Sequence, residues 1–110
     1  MDDLTAQKCV PCEGGTKPLT PSETRPYLEV VKDWQLEGAS KKIEKKFKFP
    51  DFKTALDFVN KIATIAEEEG HHPDIKLGYG KVEVELSTHA IGGLSVNDFI
   101  MAAKINKLEQ

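Results

Sequence analysis

The sequence is short of cysteine, tryptophan, histidine and long apolar runs, and each shortage excludes a class of protein. Two cysteines in 110 residues cannot staple a disulfide-built secreted scaffold. The N-terminus also lacks the basic and apolar regions of a signal peptide, so a reduced, cytoplasmic protein is expected. No apolar run approaches the length that spans a bilayer, and no membrane association is expected. The net charge is only −3, with both signs interleaved, which leaves no electrostatic footprint for nucleic acid. The local exception, Lys41, Lys42, Lys45, Lys46 and Lys48, alternates with Ile43, Phe47 and Phe49 and reads as the solvated face of a strand. Of the three histidines, none stands in HExxH or a comparable zinc pattern, so no metal is expected. What remains, 39% apolar and 30% charged residues, suits one globular domain with a single core.

Residues 1–19 have little periodicity and read as an extended or loose arm, leaving 20–110 as the domain. Within the arm, Cys9-Val10-Pro11-Cys12 is half of a zinc site with no second half, and a structural or incidental role is expected. Thr20, Pro21 and Glu23 form a helix start with a capping box. Tyr27, Leu28, Val31 and Trp34 follow at helical spacing, and Pro26 predicts a short or kinked helix. Strands are predicted over Trp34–Gly38 and Lys42–Phe49, turning at Gly38-Ala39-Ser40. Asp51 caps a long helix whose apolar stripe is Phe52, Ala55, Leu56, Val59, Ile62, Ala63 and Ala66, ended by Gly70. Phe58 and Ile65 fall off that stripe, either widening the core face or marking a subunit contact. Ile75, Leu77 and Tyr79, then Val82, Val84, Leu86 and Thr88, alternate as two more strands. This alternation puts Glu83, Glu85, Ser87 and His89 on a polar face. Ser95 and Asp98 make a second capping box, opening a last helix with Val96, Phe99, Ile100 and Ala103 inward. The fold class is α+β: a four-stranded antiparallel sheet with helices on one face, in the order α-β-β-α-β-β-α.

All three histidines lie between Glu67 and Asp98. Histidine accepts and donates protons near neutral pH, so their concentration in one third of the chain points to proton transfer. The alternative is that two of them stand at a helix end and one on a strand. Asp98 is explained by helix initiation alone, and Glu67 by a solvated last turn, although Glu67 stands where it can orient a histidine.

Glu67, three residues, His71-His72-Pro73, an aromatic at Tyr79, then Thr88-His89 and Asp98: this spaced set resembles the signature of the pterin-4a-carbinolamine dehydratases. The Cys-Val-Pro-Cys-Glu-Gly-Gly start resembles microbial and plant members. The resemblance implies dehydration of 4a-hydroxytetrahydropterin, specifically 4a-hydroxytetrahydrobiopterin, to the quinonoid dihydropterin in cofactor recycling, with no metal and no bound cofactor. It implies His71, His72 and His89 as the catalytic set at the pterin, with Glu67, Pro73, Ser87, Thr88 and Asp98 around the substrate. Tyr79 stands where the family accepts any large aromatic, and a packing role is expected of it. The resemblance and the unpaired edge strands both imply a homodimer or homotetramer. Two rivals remain: a three-histidine metal site, and a non-catalytic dimerisation or assembly cofactor for another protein, a role known among relatives.

Overall fold

The computed structural model of the chain describes residues 4–9 and 17–108. Val10, Pro11 and Cys12 lie outside the described residues, and the CxxC expectation falls there with them. Helices α1 (Pro21–Val30), α2 (Phe52–Glu69) and α3 (Val96–Leu108) alternate with strands β1 (Gln35–Glu37), β2 (Lys42–Lys48), β3 (Asp74–Gly78) and β4 (Lys81–Leu86). Short 3-10 turns occupy Leu4–Ala6 and His89–Ile91. The sheet order is β1-β2-β4-β3, antiparallel throughout, and the element order is α-β-β-α-β-β-α.

Local chemistry starts the helices where the sequence indicates. Thr20 and Glu23 exchange both bonds of the capping box, with Pro21 opening α1. The helix passes exposed Pro26 and stops at Val30, ten residues in all. Pro26 cannot donate to the carbonyl four residues earlier, which belongs to Ser22, itself an exposed residue. The Asp51 side chain accepts from Thr54 N–H at 2.8 Å, and Gly70, at φ 65°, ends α2 in the left-handed region that glycine adopts without penalty.

The sheet turns one row inward: Ile43, Lys45 and Phe47 from β2, against Leu86, Val84 and Val82 of β4. Lys45 therefore departs from the solvated-face reading, because a period of two fixes its side with Ile43 and Phe47. Its ammonium donates to Asn106 Oδ1 at 2.9 Å and lies 4.6 Å from the Phe47 ring centre. The opposite row carries charge, with Lys42 and Glu85 paired at 2.9 Å.

α2 buries Ala55, Phe58, Ile62 and Ala66, while Phe52 and Leu56 are 46% and 38% exposed. The helix is thus rotated from the predicted stripe, and Phe58 is core rather than a subunit edge. Both faces are apolar at helical spacing, so periodicity could not choose between them. The sheet chooses, because the Phe58 ring fits between Phe47 and Phe49, with centres 4.8 and 5.0 Å away. Ile65 packs half-buried against the same core. α3 is buried nearly all round over its first half, Phe99, Ile100, Met101 and Ala102 included. The arm adds to the cover that α1, α2 and β4 give it. Its described part is not loose: Leu4 is fully buried and the 3-10 turn Leu4–Ala6 packs on α3. Each such fully buried large apolar side chain contributes about 1.5–3 kcal/mol. Tyr79, expected to pack, instead stands exposed at the β3–β4 turn.

Candidate active site

Three segments converge at one end of the sheet. The left-handed residue Gly70 turns the chain sharply after α2, and His71 N–H caps the helix by donating to Ala66 O at 3.3 Å. This delivers His71 and His72 side by side with diverging environments. The second segment follows β4. That strand ends at Leu86 because its partner β2 pairs no further than Ile43. Thr88 then bridges to Gly93, with Thr88 N–H donating to Gly93 O at 2.8 Å. Gly93 has to be glycine, since a Cβ there would meet Pro18 Cβ at 2.6 Å. Alternation accordingly stops before His89, which opens the turn His89–Ile91 and is placed by that turn rather than by the strand. The third segment is the start of α3.

His71 and Asp98 form the buried centre. His71 Nε2 lies 2.7 Å from Asp98 Oδ1, with side chains 13% and 0% exposed. Asp98 Oδ2 accepts from the Thr88 hydroxyl at 2.8 Å and from Ser95 N–H at 3.0 Å. Thr88 has one hydroxyl proton and spends it on Asp98, so in its 2.8 Å bond to Ser95 Oγ the serine donates. Half of the predicted capping box is thus present: Asp98 caps Ser95 N–H, while the Ser95 hydroxyl has turned to Thr88. With Asp98 as carboxylate, His71 Nε2–H donates to Oδ1, and in the neutral ring Nδ1 is then the nitrogen able to accept a proton.

His72 is exposed and its Nε2 is hydrogen-bonded to Glu67 Oε2. His89 is 80% exposed, with Nε2 4.0 Å from Asp74 Oδ2. His71, His72, Ser87, Thr88 and His89 line one cavity of about 560 Å³, within the usual range for a small-molecule site. Pro73 is half-buried beside His72 and does not line it. Thr88 reaches the cavity, but its hydroxyl, N–H and C=O are all bonded within the chain. Neither Asp98 nor Glu67 lines the cavity; each stands behind a histidine. Among the described residues no three histidine, cysteine, aspartate or glutamate side chains converge as a metal-binding set. No helix among them is long and apolar enough to cross a membrane.

The cavity also includes Cys9, Glu69 and Asn97, which sequence reasoning missed. Glu69 is one of three consecutive glutamates, and only docking separates it from the solvated Glu67 and Glu68. Glu69 Oε2 accepts from Lys104 Nζ at 2.8 Å and Oε1 from Cys9 N–H at 2.8 Å. The lysine, then the amide, hold the carboxyl below its ordinary value of 4.5. A depressed carboxylate contributes stability that is complete above about pH 4.5 and is lost as pH falls through the folded value. The difference in Tm between wild type and Glu69→Gln should therefore be constant near neutrality and close below pH 4.5. A difference unchanged down to pH 3 would contradict this.

The family model described as pterin 4 alpha carbinolamine dehydratase matches residues 17–108. A Methylococcus capsulatus protein provisionally named pterin-4-alpha-carbinolamine dehydratase is 50% identical over 96% of this chain and 92% of its own length. A Halorhodospira halophila protein with the same provisional name is 48% identical over 96% of each chain. The crystal structure of a transcriptional coactivator/pterin dehydratase from Brucella melitensis superposes with TM-score 0.81 at 36% identity, covering 86% of this chain and all of that one. A pterin dehydratase-like protein identified as a RuBisCO assembly factor in the alpha-carboxysome gives TM-score 0.62 at 25% identity, over 72% of this chain and 92% of that one.

Proposed function

The chain belongs to the pterin-4a-carbinolamine dehydratase family, and from that premise we propose that it dehydrates 4a-hydroxytetrahydropterin to the quinonoid dihydropterin in tetrahydropterin recycling. The observation that carries this reading is the gathering of all three histidines around one cavity, one of them aligned by a buried carboxylate. The C4a–O bond breaks and the hydroxyl leaves as water, taking one proton. N5 gives up its proton, and the electron pair of that N–H bond forms the C4a=N5 double bond. Two groups able to exchange protons near neutrality suffice, and positioned acids and bases contribute roughly 10²- to 10⁴-fold each. His71, held through Nε2, has Nδ1 to offer. His72 and His89, both solvent-facing, can exchange protons with bulk water between turnovers. Asp98 and Glu67 act through the histidines they hold, Thr88 acts through Asp98, Ser87 lines the cavity, and Pro73 restricts the backbone of His72 before it. The substrate proposed is 4a-hydroxytetrahydrobiopterin, and the cytoplasm the site of action.

Stopped-flow assay of a synthetic 4a-hydroxytetrahydropterin tests the reading. Acceleration above the uncatalysed rate is expected, and its absence would sink the proposal. Assembly or dimerisation of another protein is the second reading, favoured by the names of the two structural neighbours. A fully stable histidine-free variant that loses dehydration separates the catalytic role from it.

A homodimer or homotetramer is part of the proposal. β1 and β3 are edge strands with unpaired backbone groups, and Phe52 and Leu56 expose apolar surface one helical turn apart. Sedimentation at micromolar concentration should give a species heavier than the 12.2 kDa chain, with Leu56→Glu shifting it toward monomer. A monomer alone in the wild type would refute it.

A further inference from the structure

The segment Leu4–Cys9 takes no part in the dehydration steps, yet it reaches the cavity in which they are proposed to occur. Leu4 is sealed against α3 at one end. At the other, Cys9 N–H is held by Glu69 Oε1, whose second oxygen binds Lys104 of α3. One carboxylate thus ties together the arm, the end of α2 and the middle of α3. Taking such an ion pair out of water is costly unless its remaining bonds are made, and the Cys9 amide makes one of them. The Cys9 thiol lies 3.7 Å from Asn97 O, and both residues line the cavity with His71.

We propose that Leu4–Cys9 is a strap forming one wall of the pterin cavity, clasped by Glu69, and that it sets how tightly the pterin is held without taking part in proton transfer. The inference rests on the pterin reading of the cavity. It deepens that reading by adding a binding element that lies outside the histidine motif. A wall is the role the thiol chemistry permits. Burial, and then the Glu69 charge, push the Cys9 thiol up to about 12. It therefore stays neutral, a weakly polar surface rather than a nucleophile or redox group. Such a surface suits the side of a flat heterocycle, whose polar edges are left to the histidines. Asn97, in the first turn of α3, sits at the join of strap and site, two residues from Ser95 and one from Asp98.

The test uses the full chain with Cys12→Ser, which leaves Cys9 as the only thiol. Iodoacetamide labelling of Cys9, read by mass spectrometry, reports whether the strap is docked. Steady-state kinetics with the synthetic carbinolamine report binding and chemistry separately. Leu4→Ala loosens the strap far from the cavity and leaves the Glu69 charge beside the thiol, so its labelling reads docking alone. Leu4→Val serves should it fold poorly. Glu69→Gln opens the clasp but also removes that charge, so its labelling is judged beside that of the Leu4 variant. Expected are slow labelling in the parent, further slowed by 7,8-dihydrobiopterin, and faster labelling in both variants. KM should rise roughly tenfold, equivalent to about 1.4 kcal/mol, with kcat within about twofold, the signature of lost uniform binding. Faster labelling with KM unchanged would overturn the wall. Labelling unchanged in both variants would overturn the clasp, and a fall in kcat alone would show that the strap acts on the chemistry instead. A parent chain that fails to dehydrate the substrate defeats the pterin reading itself, and is recognised before any variant is compared.

Discussion

His89→Ala should lower the dehydration rate by roughly 10²- to 10⁴-fold, the usual worth of a positioned acid or base, while the protein melts where the wild type does. Two facts combine in this expectation. His89 lines the cavity with the other two histidines, so its loss removes one of the three groups proposed to move protons. It is also 80% exposed, and its nearest charged partner, Asp74, is 4.0 Å away. Surface substitutions of that kind usually change stability by less than about 0.5 kcal/mol. Rates must be taken above the uncatalysed background, and thermal melting must accompany them. A variant that unfolds would make His89 a structural residue. A variant that is stable and fully active would remove it from the chemistry altogether.

Asp98 should separate into two results. Asp98→Ala strips the carboxylate from beneath His71, the Thr88 hydroxyl and Ser95 N–H. Each donor left buried without a partner costs about 1–3 kcal/mol, so this variant should be severely destabilised. Asp98→Asn keeps the shape. Its amide oxygen can still accept from Thr88 and Ser95, but its NH₂ then faces His71 and donates to Nε2. The imidazole must carry its proton on Nδ1 instead, and the nitrogen able to act as a base is turned away from the site. A loss of roughly 10²- to 10⁴-fold in rate with modest loss of Tm is expected, as for other histidines deprived of an orienting carboxylate. Nitrogen chemical shifts of the His71 ring should show the exchanged tautomer. If Asp98→Asn is stable, retains the wild-type tautomer and works at full rate, Asp98 only starts a helix.

That last possibility is what the sequence suggested most strongly for Asp98, and it accounts for only part of its role. The Ser95–Asp98 spacing is visible as a capping signal, and the cap is half made. The bond from Asp98 to His71, 27 residues earlier, leaves no local trace. The same division runs through the site. Glu67 and His72 lie five residues apart across a helix end, close enough for spacing to indicate their pairing. Glu69, two residues from Glu67, owes its role to Lys104 and Cys9, 35 and 60 residues away.

Short-range chemistry is legible in the chain alone: the caps at Thr20 and Asp51, the glycine stop at Gly70, the strand periods, and so the α-β-β-α-β-β-α order. The spaced histidine motif determined the family. Tertiary structure decided which of two apolar faces α2 buries, because only the sheet supplies the aromatic slot that Phe58 fills. It supplied Asn106 on α3 to accept a hydrogen bond from Lys45, which the strand period had already set on the inward side. It took His89 off the strand, because β4 has no partner beyond Leu86. It also docked an arm of low periodicity, burying Leu4 and tying the Cys9 amide to Glu69. In each case the deciding partner is far along the chain, and the free energy that selects the arrangement appears only when the two surfaces meet.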